Sequence, residues 1–307
     1  MGNKYLIGMD GGGTKTKCVI TNYNFNPLHE CQGGPSNFLI IGTEQVSETI
    51  LSLILESTAK LNISTDDITS ILIGTTGAGR ENDANKLRDD FISYAKSKGY
   101  IFNSFNVESD ARIAIEGAFS GNAGALLIAG TGSIIFGKDK NNNVHRAGGY
   151  GRLLGDEGSG YSIGRKGLIE TAKNFDGRND STLLTQLLNK DFEISSGAQL
   201  ISQVYNNNFD IASFAPKVIE AASIGDSLAI RILEEESDEL IFHVRAMYKK
   251  LGEETMELCL VGGIISSKNY YSALFREKIK LQLPEVRIVE ARFSPEIGAA
   301  IMAKSKL

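Results

Sequence analysis

Basic excess, long apolar runs, paired cysteines and clustered histidines are all missing from this sequence. Lysine and arginine number 32 against 37 acids, a net charge of -5. A chain whose main partner was nucleic acid would carry positive patches to neutralise phosphates, so no nucleic-acid partner is expected. No apolar run reaches bilayer-spanning length. The N-terminus enters a strand-like run at once, without the basic stretch and apolar core of a secretory signal. No membrane partner and a cytoplasmic location are the expectations. The 3 cysteines, Cys18, Cys31 and Cys259, form no CxxC pair. Cys18 and Cys259 lie in strand-like runs, so buried free thiols in a reducing compartment are expected. His29, His145 and His243 show no metal-ligand spacing and read as structural.

What the sequence does have is glycine, 33 of 307 residues, gathered at a few turns. Residues 7–20, IGMDGGGTKTKCVI, run from an apolar strand through an acid, three glycines and Thr-Lys-Thr into a second apolar strand. Gly11–Gly13 are expected to supply the positive-φ positions of a hairpin turn. Such a turn lets backbone N–H groups approach an anion, with Thr14 and Lys15 adding a hydroxyl and a charge. Asp10, at the strand end, would repel phosphate unless a cation stood between them, which points to Mg²⁺. Read blandly, the stretch is an ordinary glycine hairpin. Residues 125–138, ALLIAGTGSIIFGK, repeat the pattern with Gly130, Thr131 and Gly132 at the turn. Two such hairpins in corresponding places suggest a duplicated domain with one phosphate-gripping loop from each half. A third glycine turn, VGGI at 261–264, holds Gly262 and Gly263 and adds to the case for a nucleotide between two lobes.

Around these turns, apolar spacing predicts helices over 44–61, 85–98 and 111–119 and strands over 68–75 and 100–107. Strands alternating with helices imply an α/β fold with a largely parallel sheet covered on both faces. Sites in such sheets gather at the carboxyl ends of the strands, where Asp10, Thr76 and Asp110 all fall. Residues 147–164 hold too many glycines for regular structure. Helical patterns follow at 161–175, 181–188, 212–222 and 228–251, then a strand near 287–289 and a helix from Pro295. At 307 residues the chain can bury two domain-sized cores, placed at 1–115 and 116–307, with the last helix packing back near the hinge. Asp110 and Asp156 each precede a helical pattern, so N-capping would account for either. Beside two phosphate-type hairpins they also suit phosphoryl transfer, which needs cradled phosphates, Mg²⁺ and an acid to take the acceptor's proton. Residues 132–138 satisfy GxxxxGK, but Asp139 stands where a P-loop needs Ser or Thr. GxGxxG fails at Gly11, because Thr16 fills the last glycine place.

DGGGTKT, the Asp110 junction, GTGS, the GGYG–GDEGS pair and VGGI occur in that order over nearly the whole chain. This ordered set resembles the BadF/BadG/BcrA/BcrD ATPase family, in its N-acetylglucosamine kinase branch of the actin–hexokinase–chaperone ATPase superfamily. The resemblance implies two RNase H-like lobes, a duplicated actin-like ATPase fold, with an interlobe cleft. It implies ATP and Mg²⁺ as cofactors and phosphorylation of the 6-hydroxyl of N-acetylglucosamine, with N-acetylmuramic acid and glucosamine as further candidates. By the same resemblance Asp10 positions Mg²⁺, while Gly12, Gly13, Thr14 and Lys15 hold phosphates with Gly130, Thr131 and Gly132. Gly262 and Gly263 would border the adenosine, and Asp110 would be the general base. Asn37, Thr76, Gly77, Thr131, Gly149, Tyr150 and Asp156 match sugar-binding positions. Tyr150 stands where the mammalian GGWG pattern has tryptophan, which alters the wall of the sugar pocket. A homodimer is compatible with the family. An alternative in the same family is the ATPase that activates 2-hydroxyacyl-CoA dehydratases or benzoyl-CoA reductase, whose iron–sulfur cluster needs closely placed cysteines. A zinc-containing glucokinase needs a Cys/His cluster. A non-catalytic sugar-binding regulator on this fold would lack the base and add a DNA-binding segment.

Overall fold

Each glycine hairpin opens a five-stranded sheet in the computed structural model, which describes residues 4–307. In the first, β1 (Tyr5–Gly11) pairs antiparallel with β2 (Thr16–Thr21), and β3 (Pro27–Gly33) pairs antiparallel with β2. The chain passes through α1 (Phe38–Ile41) and α2 (Thr43–Leu61) to β4 (Ile68–Thr75), then through α3 (Glu81–Ser97) to β5 (Phe105–Glu108) and α4 (Asp110–Phe119). The sheet order is β3-β2-β1-β4-β5, with β1, β4 and β5 parallel. It is therefore mixed rather than largely parallel, because the hairpin supplies two antiparallel strands and only the helical crossovers give parallel ones.

Alternation along β1 divides the core of this unit in two. Ile7 and Met9 pack with the α2 stripe Val46, Ile50 and Ile54 and with Leu87 and Phe91 of α3. Leu6 packs on the other face with Leu72, Ile113, Ala299 and Ala300. Ala299 and Ala300 belong to the C-terminal helix (Pro295–Ser305), which returns to this unit. A Cβ on Gly8 would stand 2.0 Å from the Glu296 carbonyl oxygen, and one on Gly298 would stand 2.0 Å from that of Ile113. These two glycines let the helix lie against strand and α4 at backbone distance.

The second unit repeats the topology. β6 (Gly124–Ala129), β7 (Ser133–Lys138) and β8 (Val144–Gly148) form an antiparallel meander. Helices α5 (Gly160–Phe175), α6 (Leu183–Phe192), α7 (Gly197–Asn206), α8 (Ala215–Ser223) and α9 (Ser227–Leu251) precede β9 (Met256–Val261). α10 (Tyr270–Gln282) and β10 (Val286–Val289) complete it in the order β10-β9-β6-β7-β8, with β6, β9 and β10 parallel. Helix α9 buries Leu233, Leu240, Val244, Met247 and Leu251 as one stripe; Asp226 caps it by accepting from Ala229 N at 2.9 Å. Its stripe also contains Glu236, 2% exposed, which is paired with Lys166 Nζ at 2.9 Å.

The chain passes from the first unit to the second at 123/124 and returns at 289/290. A cut at 115/116 would divide α4, which is continuous to Phe119. Among the described residues, no helix is long and apolar enough to cross a membrane.

Candidate functional site

In the first unit, residues from the ends of β1, β4 and β5 meet. None of Gly11, Gly12 and Gly13 adopts positive φ, contrary to the hairpin expectation. Pairing of Gly11 with Thr16 leaves a four-residue loop, closed by Gly12 N donating to Lys15 O at 2.9 Å. Gly11 is needed for a different reason, since a Cβ there would stand 1.9 Å from Ser36 Oγ. A Cβ on Gly13 would meet nothing, so the turn 12–15 keeps an open backbone with Thr14 and Lys15 exposed. Ser36 N and Thr76 N donate to Gly12 O and Gly11 O at 3.0 and 3.1 Å, which ties both flanking loops to the hairpin.

Asp110 is the first residue of α4, but it does not cap the helix. Ser109 does so, accepting from Arg112 N at 3.2 Å. The Asp110 carboxylate is exposed and held at both oxygens: Thr76 Oγ1 donates to Oδ2 at 2.9 Å and Ala111 N to Oδ1 at 2.8 Å. Burial, reinforced by the negative charges of Glu296 and Asp110, holds the Asp10 carboxyl above its ordinary 3.8, while Lys17 and Lys15 pull it down. Glu296, in the first turn of the C-terminal helix, is 8% exposed and its Oε2 has no hydrogen-bond partner. A buried carboxylate oxygen without a donor is costly, and this acid did not stand out in the sequence. Asn37 Oδ1 is likewise buried without a partner, 3.4 Å from where a Cβ on Gly77 would stand. Asp10, Asn37, Thr76, Gly77 and Asp110 are thus neighbours in one unit.

The second unit gathers its expected residues around the turn between β6 and β7. Gly160 N donates to Gly130 O at 2.7 Å, Tyr161 N to Thr131 O at 3.0 Å and Ser133 N to Asp156 Oδ1 at 3.3 Å. Gly132 lies close to the Asp156 carboxylate: a Cβ there would stand 3.1 Å from both carboxylate oxygens, so a side chain would press on that carboxylate. Asp156, at φ +61, does not cap α5 either; Ser159 does, accepting from Ser162 N at 3.2 Å. The glycine-rich segment is pinned from below by the buried Glu236 carboxylate, which accepts from Gly158 N at 2.6 Å, and by Tyr271 OH, which donates to Gly158 O at 3.0 Å. Gly149, at φ +71, lies against Ile134 of β7; Tyr150 is 63% exposed beneath the Arg146 guanidinium, 5.0 Å from its ring centre. Thr131 and Asp156 line a cavity of about 660 Å³ together with Arg152, Tyr161, Phe209 and Asp210, none of which the motifs had marked.

Gly262, at φ +109, lies against Ala129 and Gly130, where a Cβ would stand 2.2 Å from Ala129 O. It therefore ties the VGGI turn to the second hairpin. Gly263 borders a separate cavity of about 370 Å³, walled by Pro216, Ile219, Ile264 and Tyr270 with Glu220, Ser223 and Asn269 as polar members. A largely apolar slot with a few polar groups suits a flat heteroaromatic ring.

The chain is similar to known proteins along nearly its whole length. The model of the BadF/BadG/BcrA/BcrD ATPase family matches residues 7–303. The chain is 35% identical over 308 residues to an N-acetylmuramic acid/N-acetylglucosamine kinase of Clostridium acetobutylicum, covering 99% of both chains. It is 31% identical over 320 residues to an N-acetyl-D-glucosamine kinase of Dictyostelium discoideum, covering 99% of this chain and 98% of that one. A solved structure from Chromobacterium violaceum, described as a candidate N-acetylglucosamine kinase, superposes with a TM-score of 0.70 at 24% identity, covering 98% of this chain and 99% of that one. That likeness is one of fold.

Proposed function

This chain belongs to the BadF/BadG/BcrA/BcrD ATPase family, and on that premise we propose that it is an ATP-dependent amino-sugar kinase that phosphorylates the 6-hydroxyl of N-acetylglucosamine and N-acetylmuramic acid, with Asp110 as general base. The observation that carries the base assignment is the state of the Asp110 carboxylate. It is exposed, oriented by two donors, and released from helix capping by Ser109. A general base must be held in one geometry and be free to accept a proton, and Asp110 meets both conditions. Asn37, with its unpartnered Oδ1, is assigned to a sugar hydroxyl or amide N–H.

The donors near Asp10 fit Mg²⁺. Asp10 and Glu296 offer only oxygen, the set that this hard cation takes, and the unpartnered Glu296 Oε2 leaves one acceptor unused. Bound there, Mg²⁺ would neutralise phosphate charge next to acids that otherwise repel one another. The protein's own share is positioning: the open backbone and Lys15 of the first turn, with Thr131 and Gly132 of the second, are assigned to the phosphates. Gly262 and Gly263 are assigned to the adenosine, and Thr76, Gly77, Gly149, Tyr150 and Asp156 to the sugar. The activator-type ATPase reading finds no support, since Cys18 and Cys259 are buried and Cys31 half-buried, whereas a shared cluster needs thiols at the surface.

The test is an ATP-coupled screen against N-acetylglucosamine, N-acetylmuramic acid, glucosamine, N-acetylmannosamine and glucose, with phosphorus NMR locating the phosphate on the product. Turnover of amino sugars well above glucose, with phosphate on O6, is expected. Glucose phosphorylated as efficiently as every amino sugar, or phosphate on another oxygen, would refute the assignment.

A further inference from the structure

Away from the acid site, the first unit brings together three residues that the sequence scatters. His29 and Cys31 are two positions apart in β3 and share the half-buried face of that strand, while Leu28, Glu30 and Gln32 are exposed. Cys31 Sγ lies 3.3 Å from Ser57 Oγ and 3.8 Å from Leu53 O, so this face turns towards α2. Glu56 stands on α2 beside Ser57, three residues beyond Leu53 and hence on the same side of the helix. A ring nitrogen of His29, the Cys31 sulfur and a Glu56 carboxylate oxygen all lie within 4.8 Å of one another. Independently, His29 Nε2 is buried with no hydrogen-bond partner. An imidazole nitrogen so placed is short of a donor, an acceptor or a metal.

We propose that His29, Cys31 and Glu56 form a zinc site that joins the edge strand β3 to α2. Nitrogen, thiolate sulfur and carboxylate oxygen are the three donor types Zn²⁺ accepts. Bond lengths of about 2.0–2.3 Å in tetrahedral geometry place donors roughly 3.3–3.8 Å apart. Rotation of the Glu56 side chain, which is exposed, would shorten the remaining distance. A thiolate in the set disfavours Mg²⁺ and Ca²⁺, which take oxygen, so this site is chemically distinct from the one at Asp10. Three protein donors leave the fourth position to water. Binding expels the Cys31 thiol proton to solvent, and nothing is oxidised or reduced. An edge strand exposes unpaired backbone, and a metal bridge to α2 would hold it in place. The proposal does not depend on the kinase reading.

The test titrates Co²⁺ into the reduced full-length protein and follows the near-ultraviolet thiolate-to-cobalt band and the visible bands of four-coordinate cobalt. One equivalent should bring up both, and Zn²⁺ should bleach them. Cys31→Ser should abolish the near-ultraviolet band, and Cys18→Ser should keep it. Glu56→Gln, at an exposed position where folding is not at stake, should weaken Co²⁺ binding at least about tenfold, as even outer-sphere changes do at metal sites. His29→Gln should do the same. Absence of a thiolate band in the reduced wild type, its survival in Cys31→Ser, or unchanged affinity in Glu56→Gln would each overturn the site.

Discussion

Ser109 and Asp110 are adjacent in the chain, and their separate roles can be measured. Asp110→Asn keeps the shape and the oxygen that accepts from Ala111 N, but it cannot take a proton. General-base contributions of about 10²–10⁴-fold in rate correspond to roughly 3–5 kcal/mol of transition-state stabilisation. The expected outcome is a kcat lower by at least about a hundredfold, with near-normal sugar affinity by calorimetry and an unchanged melting temperature. Ser109→Ala should do the reverse, costing about 1 kcal/mol of stability through the lost cap while kcat stays within about twofold. A folded Asp110→Asn enzyme with more than about a tenth of wild-type kcat, or a Ser109→Ala enzyme with collapsed turnover, would dissolve the division of labour. Sequence alone left this open, since Ser and Asp cap helices about equally well. Either could have filled the position at 109/110 and at 156/159. The orphaned oxygens of Asn37 and Glu296 were hidden for another reason: being unpartnered is a property of the surroundings, not of the residue type.

Among the elements, the apolar strands and the amphipathic helices were legible, the edge strands β5 and β10 included, but the edge strands β3 and β8 were not. β3 and β8 lie at the sheet edges with residues only partly buried, so neither presents an apolar run. Missing β3 also hid the register that sets Cys18 opposite Cys31. Cysteines read as scattered are cross-strand neighbours, and His29 belongs to the same face. Helix α7 was missed although Leu200, Ile201, Val204 and Tyr205 recur at helical spacing; it is ten residues long and buries only Leu200 fully, with Val204 packed beside it. The C-terminal helix was placed correctly from Pro295, but its closeness to β1 and α4 rests on glycine contacts that no periodicity reveals. This gives a sharp prediction. Gly298→Ala puts a methyl group 2.0 Å from the Ile113 carbonyl oxygen and 2.5 Å from Gly117 N, both backbone atoms that cannot rotate away. Although alanine is the better helix former by about 1 kcal/mol, the overpacking should win at about 1–3 kcal/mol or more. The melting temperature should fall. Because Glu296 belongs to the same helix, kcat should fall with it. A variant as stable as the wild type would mean that the helix can shift away from α4 at no cost.

At the scale of the whole molecule, one strand order appears twice, with a glycine hairpin opening each sheet and an acid beside each turn. The duplicated plan does not extend to the titrating groups, and the second unit carries an acid-sensitive one. His243 in α9 is held below its ordinary 6.5 by burial, which the nearby Glu157 carboxylate, 3.6 Å from Nε2, only partly offsets. Its Nδ1 is buried without a partner. Above about pH 6.5 the imidazole is neutral in both folded and unfolded chains and adds no pH dependence. As pH falls below that value, the unfolded chain takes up a proton that the folded chain still refuses. Stability must therefore decline with falling pH, and the decline ends once pH passes the lowered folded value. His243→Gln removes the group, so its urea midpoint should fall less between pH 7 and pH 5 than that of the wild type, whatever the offset between the two curves. With no tryptophan in the chain, circular dichroism is the natural probe. The slope is the measurement that counts, because a repacking defect would displace the whole curve without tilting it. Parallel curves across that range would show that His243 titrates alike in both states and that its burial carries no electrostatic cost.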